Sequence, residues 1–579
     1  MASAVHRHVP SRLDVAVFGA KATAFRALRT LKEVLAWREA ARRHAPADAL
    51  RDAPVVARVR SPLWSGPAGA REYALTAGKI QNLRLALAGI DGVVVPAGEA
   101  FSFWKQVGRA SRWRGFVEGR ELREGCLVRS VGGGLCQLSN ALYEAALAAG
   151  FEIVERHAHS RMVPGSRAAL GRDATVFWNY VDLRFRSRKA FRIEARLTSR
   201  HLEVLFRAEP GAAERAAPGP EADGRAAAND CTTCGEIRCH LNDPEIGTVA
   251  RRPTAWLVDG SSPEFSGLLA REATRDDALF LPMRRPARAR YAWPEGRCGT
   301  EATAAVTALR RAFALRRAPA QGRALQSRLL AFDAALAGAY ARKLSHLHTR
   351  AVVAQNLLPH LWIMGALAGR SFDVLVDRWP MAELQRRLDG ALAAHPESPT
   401  LGDFRAPPDL VAAEAEALAA AEKLYTPHRA IAAFLGGRAV VLDWAMPAVT
   451  KPVARGGRTV LFPASALGRK GAYELREAMR GLDAELLVAG GAKEHDGDFW
   501  AGLPVRPPGG AAPPEKLAAV VLPATIEHQP RALLRALAAG IPVIATQACG
   551  LGERPGVVTV PELDAAALRR ALERVLAAA

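Results

Sequence analysis

Residues 520–545 read VVLPATIEHQPRALLRALAAGIPVIA, and this stretch decides the fold of the C-terminal half of the chain. Two apolar runs, Val520–Leu522 and Ile541–Ala545, stand on either side of a segment rich in alanine and leucine. Short apolar runs on either side of a helical segment are typical of parallel strands joined by a crossover helix. The stretch therefore predicts a strand, a helix and a second strand.

The same alternation continues back to Arg252. Apolar runs at Thr254–Val258, Phe372–Val376 and Ala439–Leu442 alternate with helical stretches, which predicts α/β domains with helices on both faces of parallel sheets. The uncharged segment 351–369 is long enough to raise the question of a membrane span. It contains Gln, Asn, Pro and His, which are costly in lipid, so it predicts a buried strand, turn and helix instead.

The N-terminal half has a different pattern. Residues 61–208 mix helices and strands without regular alternation, which predicts an α+β domain. Residues 209–229, EPGAAERAAPGPEADGRAAAN, contain no apolar side chain larger than alanine and are expected to be a linker. A cysteine cluster occupies residues 230–250.

The chain has 579 residues and a formal net charge of +21, but only 11 of its 79 basic residues are lysines. An arginine-rich, lysine-poor composition is as typical of a protein from a GC-rich genome as of a nucleic-acid-binding surface, so we expect no nucleic-acid partner. Seven cysteines are too few for a disulfide scaffold and fit a reducing compartment. The N-terminal residues lack a secretory signal pattern, and we expect a cytoplasmic location.

Residues 1–60 form a basic N-terminal extension, with twelve basic and five acidic side chains. Leu28, Leu31 and Leu35 recur at helical spacing within Lys21–Arg43, which predicts a basic amphipathic helix. We expect its apolar stripe to pack on the following domain. The alternative is peripheral contact of residues 21–43 with the inner face of the membrane.

A glycine-rich turn opens the segment 131–147, VGGGLCQLSNALYEAAL. Leu138, Leu142 and Ala145 mark one face of a helix that Cys136 begins. The positive end of a helix favours the thiolate form of a cysteine. Cys136 is therefore a candidate nucleophile.

Two histidines that follow this helix in the chain are candidate bases for the thiol. His157 and His159 come after the strand-like run FEIVE at 151–155, and a cysteine with a neighbouring histidine is the usual layout for thiol catalysis. Asp173 and Asp182 are candidate carboxylates to orient a histidine. The alternatives are a pocket that only binds a ligand, or a Cys136 that is structural.

Several short motifs of this region occur in a fixed order. They are Gly78–Leu83, Pro96–Trp104, Arg114–Phe116, Gly132–Gln137, Glu155–Ser160, Arg172–Val176 and Asp182–Leu183. Together they resemble the VanW-like family, which is named from vancomycin-resistance clusters. The resemblance implies association with the bacterial cell envelope through gene neighbourhood and implies no particular reaction.

The cysteine cluster has the spacing of a metal knuckle. Cys231 and Cys234 are followed by Cys239 and His240, and either His240 or Cys298 is the candidate fourth ligand. This pattern predicts zinc, with an iron–sulfur cluster as the alternative metal group. A set of reduced surface thiols is the alternative without metal.

A second series of motifs runs through the C-terminal part of the chain. The motifs are Leu424–Pro427, Lys470–Gly471 with a helix at Glu474–Met479, a strand at Ala484–Val488, Gly490–Gly491, and the stretch 520–545 with Glu527. With them, the sequence beyond residue 430 resembles the nucleotide-sugar-binding half of a retaining GT-B glycosyltransferase with two spaced glutamates. The resemblance implies an acceptor half at 251–430, a donor half at 431–579 and metal-independent transfer. In the acceptor half, Asp259–Ser262 is the nearest substitute for the expected glycine loop.

The resemblance assigns donor-binding roles to Arg469, Lys470, Gly471, Glu527 and Arg535. A lysine and a helix N-terminus that face two phosphates stabilise the charge of the departing nucleotide. The sequence departs from the family where Arg535 replaces the second glutamate and where Ala464–Ser465 replaces a Gly-Arg pair. Arg469 is a candidate to restore the lost positive charge.

These patterns together predict transfer of a sugar from a nucleotide-sugar donor to an envelope-related or glycan acceptor. Two alternatives stay open. The VanW-like module is a cysteine–histidine thiol hydrolase or acyl transferase, or the chain is a non-catalytic scaffold that binds envelope precursors.

Overall fold

The computed structural model describes residues 12–35, 41–64, 69–123, 126–158, 173–178, 180–209, 251–284, 289–318, 322–449, 454–492, 494, 498–506 and 516–578. The chain divides into two compact units. The N-terminal unit comprises Met1–Pro253 with Ser345–Thr349 and Ala368–Ser371, and the C-terminal unit comprises Thr254–Leu344, Arg350–Leu367 and Phe372–Ala579.

The N-terminal unit is an α+β structure, as predicted. Its helices are α1 (Arg12–Leu35), α2 (Ala70–Leu87), α3 (Phe103–Val107) and α4 (Cys136–Ala148). Its strands are β1 (Val55–Pro62), β2 (Val93–Val95), β3 (Ala100–Ser102), β4 (Glu118–Arg123), β5 (Cys126–Val131), β6 (Glu152–Glu155), β7 (Arg184–Arg186), β8 (Phe191–Leu197) and β9 (His201–Ala208).

Three antiparallel sheets organise this unit, in the orders β1-β9-β8-β2, β3-β7-β6 and β4-β5. Strand β1 pairs with β9 from Val55 onward, so the sheet begins ahead of the boundary expected at residue 61. Phe151, Phe185, Phe191 and Phe206 pack together in the core, with 4.6 Å between the ring centroids of Phe151 and Phe191. Burying each such ring contributes about 1.5–3 kcal/mol.

Two arginines and a phenylalanine of α1 contact the rest of the N-terminal unit, and the Phe25 ring stacks on Tyr180. Arg29 donates to both carboxylate oxygens of Glu155 at 2.8 and 2.7 Å, and Arg26 donates to the carbonyl of Trp178 at 3.2 Å. Leu28 and Leu31 are 53% and 55% exposed. The expectation that the leucine stripe packs on the following domain is therefore wrong at these two residues.

The C-terminal unit alternates strands and helices. Its strands are β10 (Thr254–Leu257), β11 (Ala278–Leu281), β12 (Thr300–Thr303), β13 (Arg350–Ala354), β14 (Ser371–Leu375), β15 (Leu424–Thr426), β16 (Ala439–Val441), β17 (Ala454–Phe462), β18 (Glu485–Val488), β19 (Val505–Arg506), β20 (Lys516–Leu522), β21 (Val543–Thr546) and β22 (Val557–Val560). Its helices are α5 (Pro263–Glu272), α6 (Ala305–Arg316), α7 (Arg323–Ala341), α8 (Leu358–Ile363), α9 (Met381–Ala394), α10 (Pro408–Ala420), α11 (Arg429–Leu435), α12 (Ala472–Met479), α13 (Arg531–Ala538) and α14 (Ala565–Ala577).

Both sheets of this unit have the strand order of a doubly wound fold. The orders are β12-β11-β10-β13-β14-β15-β16 and β19-β18-β17-β20-β21-β22, with parallel registers such as β10 on β13 and β17 on β20. The direction of winding reverses between β10 and β13 and again between β17 and β20. Ligands of such folds bind at the carboxyl ends of the strands beside this reversal.

The first sheet extends past the boundary expected at residue 430, because β16 pairs with β15. The second sheet starts at Ala454. The predicted strand, turn and helix at 351–369 are present as β13 and α8, with Ala351 and Leu361 fully buried. Within the described part of the chain, no helix is both long and apolar enough to cross a membrane.

Candidate active site

Lys470 and Glu527 meet at the reversal point of the second sheet. Lys470 lies in a 3-10 turn between β17 and α12, and Glu527 lies in the loop after β20. The Lys470 Nζ donates to Glu527 Oε2 at 2.8 Å and to the Ile526 carbonyl at 3.3 Å. The structure thus brings together two residues that the sequence assigned to donor binding.

A glycine and two backbone hydrogen bonds hold these loops together. Gly471 has a φ of +77°, and a Cβ placed on it would lie 2.1 Å from the Pro523 carbonyl oxygen. The Thr525 and Ile526 amides both donate to the Arg469 carbonyl at 3.1 Å. Only glycine fits at 471, because both the backbone angle and the close contact exclude a side chain.

The surroundings keep Glu527 ionised. Burial acts to raise the pKa of Glu527, but the charge and hydrogen bond of Lys470 and the amides of Gln529 and His528 lower it overall. The Arg469 guanidinium stacks over the Phe404 ring at 5.1 Å. Arg535, in the position of the missing glutamate, is exposed on α13.

His428, which the sequence did not single out, joins the first sheet to Glu527. It follows β15, and its Nε2 lies 2.9 Å from the Glu527 carbonyl oxygen and 3.1 Å from that of Ala548. Since both partners are acceptors, the proton sits on Nε2, and Nδ1 accepts from the Ile431 amide at 3.2 Å. Burial lowers the pKa of His428, which keeps the ring neutral.

Polar residues also meet at the reversal point of the first sheet. Asp259 follows β10, and its Oδ2 accepts from Arg311 at 2.8 Å and from Asn356 at 3.0 Å. Asn356 also donates to Asp333 at 2.9 Å. Burial raises the pKa of Asp333 to about 6, although the charge of Arg311 opposes the rise.

A third carboxylate follows β14. Asp377 Oδ1 accepts from Arg378 Nε at 2.8 Å. The pKa of the neighbouring His528 lies well below its ordinary value, mainly because His528 is buried and secondly because Arg378 is positively charged. Apart from Asp259, the sequence analysis missed these residues. The detectable signal was the repeat of Val-Asp directly after a buried strand, at Asp259 and Asp377.

A buried ion pair ties α5 to α13. Arg531 donates to Glu264 Oε1 at 2.8 Å and to Oε2 at 2.5 Å, and the Glu264 side chain is 0% exposed. Glu264 Oε1 also accepts from the Ala445 amide at 2.8 Å. The carboxyl edges of the two sheets are thus joined through both His428 and Glu264.

In the N-terminal unit, Cys136 begins α4, as predicted. Its Sγ lies 3.8 Å from Thr175 Oγ1, and the Thr175 amide donates to the His157 carbonyl at 2.7 Å. The His157 ring lies 3.3 Å from Glu155 Oε1, measured from Nε2. Thr175 therefore connects the thiol to the backbone of the histidine segment.

The two candidate orienting carboxylates both accept hydrogen bonds from described residues. Asp173 is fully buried and accepts from Arg156 at 2.9 Å. Asp182 accepts from the Ser102 hydroxyl at 2.6 Å and the Trp104 amide at 3.1 Å, at the start of α3. His159 lies outside the described residues.

The predicted metal site also lies largely outside the described residues. Cys231, Cys234, Cys239 and His240 are not described, so this site stays a prediction. Cys298 is buried in an apolar cluster that includes Trp256 and Trp293. Among the described residues, no group of three or more His, Cys, Asp or Glu side chains is arranged to hold a metal ion.

Comparison with known families matches two separate stretches of the chain. The family "VanW like protein" matches residues 78–207, and the family "Glycosyl transferases group 1" matches residues 458–578. The predicted resemblances to the VanW-like family and to a glycosyltransferase are confirmed over these residues. The C-terminal unit contains two parallel sheets of doubly wound strand order, and the second of them lies within the glycosyl transferase match.

Individual relatives cover only part of the chain. The uncharacterized protein YoaR of Bacillus subtilis is 42% identical over 106 residues, 18% of this chain and 34% of that protein. The vancomycin B-type resistance protein VanW of Enterococcus faecalis is 34% identical over 112 residues, 19% of this chain and 41% of that protein. The chain thus spans about two fifths or less of these relatives. The lipopolysaccharide outer core galactosyltransferase WaaB, a solved structure, is 12% identical with a TM-score of 0.33, over 56% of this chain and 90% of that one.

Proposed function

We propose that the C-terminal unit transfers a sugar from a nucleotide-sugar to a cell-envelope-related acceptor. The observation that carries the proposal is the Lys470–Glu527 pair, with 2.8 Å between Nζ and Oε2, at the carboxyl ends of the two strands beside the reversal point of the second sheet. Doubly wound folds bind their ligands at this place.

The residues around this pair have distinct roles in the proposal. A nucleoside diphosphate leaving group carries two phosphates, which Lys470 and the N-terminal amides of α12 stabilise as the glycosidic bond breaks. Arg469 supplies a second cation, and Gly471 lets the lysine turn approach Pro523 closely. Arg535 takes the place of the glutamate that faces the ribose in the family.

Three finer features belong to the same proposal: the absence of a metal, the stereochemistry and the acceptor. Transfer proceeds without a metal, because a lysine and a helix N-terminus provide the positive charge, and the sugar keeps its anomeric configuration, as in the spaced-glutamate family. The acceptor binds in the first α/β half, around Asp259, and is an envelope precursor or glycan on the cytoplasmic side of the membrane. The VanW-like domain in the same chain supports this acceptor class.

Calorimetry on the full chain tests the proposal, with a panel of nucleoside diphosphates in the presence of EDTA and then of Mg²⁺. We expect one diphosphate to bind in EDTA. If binding requires Mg²⁺, metal-independent transfer is wrong. If no diphosphate binds under either condition, the donor site is wrong and the scaffold alternative is favoured.

A second candidate function, thiol hydrolysis or acyl transfer, rests on the contact of Cys136 with Thr175. The thiol begins α4, beside the positive end of the helix, and Thr175 joins it to the His157 backbone. In this function Cys136 is the nucleophile, His157 or His159 is the base, and Asp173 fixes the segment through Arg156. The Cys136 alkylation experiment described in the Discussion tests it.

A further inference from the structure

Helix α1 presents three aliphatic side chains to solvent. Val17, Leu28 and Leu31 fall on one face, because their spacings are close to whole numbers of helical turns. Val17 is 44% exposed, less than the two leucines. Phe25, beside this face, is 54% exposed, and its ring stacks on Tyr180 with 5.9 Å between the centroids. We call Val17, Leu28 and Leu31 the apolar face of α1.

The contacts of α1 account for this orientation. Arg26 lies on the opposite side and donates to the Trp178 carbonyl, and Arg29 lies on the flank next to Phe25 and pairs with the Glu155 carboxylate. A surface helix normally buries its apolar stripe and exposes its charges. Because a hydrogen bond and an ion pair hold the helix with Leu28 and Leu31 outward, the exposed apolar face is suited to a partner outside the chain.

The charges around the face favour an anionic lipid surface. Lys21 is exposed and lies on the apolar face itself, and Arg42 and Arg43, which follow α1 in the chain, are also exposed. A basic helix with exposed aliphatic residues on one face has the composition of an interfacial membrane helix. A second copy of this basic chain would bring like charges together at the same place.

An independent feature of the same unit points to the same partner. Trp113 is 100% exposed, in the 3-10 turn Arg112–Arg114, between two arginines. Tryptophan side chains with cationic neighbours are typical of the interface between lipid and water. We propose that the N-terminal unit binds the surface of an anionic bilayer, with the apolar face of α1 in the interface and Trp113 as a second anchor. This proposal does not depend on sugar transfer.

Vesicle sedimentation of the full chain tests it, with phosphatidylcholine vesicles that contain phosphatidylglycerol and with vesicles of phosphatidylcholine alone. The variant is Leu28→Asp with Leu31→Asp. The matched control is Thr23→Asp with Thr30→Asp, which adds the same charge to exposed positions on the other side of α1. Trp113→Ala is a third protein, at an exposed site outside α1.

We expect the wild type to bind only the anionic vesicles. The leucine double variant should bind at least about tenfold more weakly than the threonine control, since it loses apolar insertion, and Trp113→Ala should bind a few-fold more weakly. Wild type that does not bind, or equal binding by the two double variants, overturns the proposal. A dimer in solution that only the leucine variant dissociates would assign the face to a second copy instead. Circular dichroism melting shows that each variant is folded.

Discussion

Lys470 Nζ lies 2.8 Å from Glu527 Oε2, so the lysine proposed to face the donor phosphates already has a carboxylate partner from the neighbouring loop. Both side chains are mostly buried, at 19% and 13% exposure. In the proposed function, a diphosphate shares Lys470 with Glu527. The pair holds the lysine in position in the structure without a nucleotide.

The first prediction concerns this lysine. Lys470→Ala should weaken binding of the nucleoside diphosphate by about 1–3 kcal/mol, the size of a lost charge-assisted hydrogen bond. Lys423→Ala, at an exposed position after α10, is the matched control and should bind like the wild type. Calorimetry measures both, and equal affinities for the two variants would remove Lys470 from the site.

The second prediction separates backbone strain from steric contact at glycine. Gly471→Ala and Gly540→Ala both place a side chain at a positive φ, which is +77° at residue 471 and +72° at residue 540. A Cβ at residue 471 would lie 2.1 Å from the Pro523 carbonyl oxygen, whereas a Cβ at residue 540 would meet no atom within 4 Å. Gly540→Ala should cost about 1 kcal/mol of unfolding free energy, and Gly471→Ala about 1–3 kcal/mol more. Urea unfolding tests this difference, and equal costs would contradict the tight Gly471 turn.

The third prediction concerns the buried Glu264–Arg531 pair. Burial acts to raise the pKa of Glu264, yet hydrogen bonds from Arg531 and the Ala445 amide hold it below its ordinary value. Arg531→Met leaves a fully buried carboxylate with backbone amides as its only described donors and should cost about 3–5 kcal/mol at neutral pH. Glu264→Gln should cost less, because a neutral amide is cheaper to bury.

Calorimetric melting measures both variants. Arg480→Met, in the exposed pair Arg480–Glu477, is the control and should cost less than about 1 kcal/mol. In Arg531→Met the pKa of Glu264 is expected to rise, so the lost stability should return in part at mildly acidic pH. A cost no larger than that of Arg480→Met would mean that the pair does not hold α5 to α13.

The fourth prediction concerns cysteine reactivity. Iodoacetamide should alkylate the half-buried Cys136 faster than Cys549, which is fully buried and whose pKa burial raises to about 12. If His157 is the base, His157→Ala should slow the reaction of Cys136, while the reaction of Cys549 stays unchanged. Mass spectrometry of tryptic peptides measures the rates. A Cys136 that reacts only after denaturation would assign the thiol to packing.

The fifth prediction is a pH dependence from Asp333, whose pKa burial raises from 3.8 to about 6. The Asp333 carboxyl binds its proton more tightly in the folded protein than in the unfolded chain. Protonated Asp333 therefore contributes its full stabilisation below about pH 4, and this contribution is lost as the pH rises through about 6. The shift of about two pKa units corresponds to roughly 3 kcal/mol.

Asp333→Asn should remove that pH dependence, and the exposed Asp276→Asn should keep it. Urea unfolding of the three proteins across the acidic range measures the slopes. The same slope in Asp333→Asn and the wild type would show that Asp333 has an ordinary pKa in the folded protein.

Local patterns in the sequence determined the elements of this protein. The alternation of apolar and helical segments in 520–545 is present as β20, α13 and β21, and Cys136 begins α4 directly after its glycine turn. The Lys470–Gly471 turn also precedes a helix, α12. These predictions hold because hydrophobic periodicity and the backbone dihedral angles of glycine determine secondary structure within a few residues of the chain.

Only the tertiary structure decided which distant side chains meet. His428 binds the Glu527 carbonyl, and Asp173 accepts a hydrogen bond from Arg156. Helical periodicity places Leu28 and Leu31 on one face of α1, but the contact of Arg29 with Glu155 turns that face outward. Strand order and register decide which side chains meet when they are about a hundred residues apart in the chain. Strand order and register in turn depend on the packing of the entire unit.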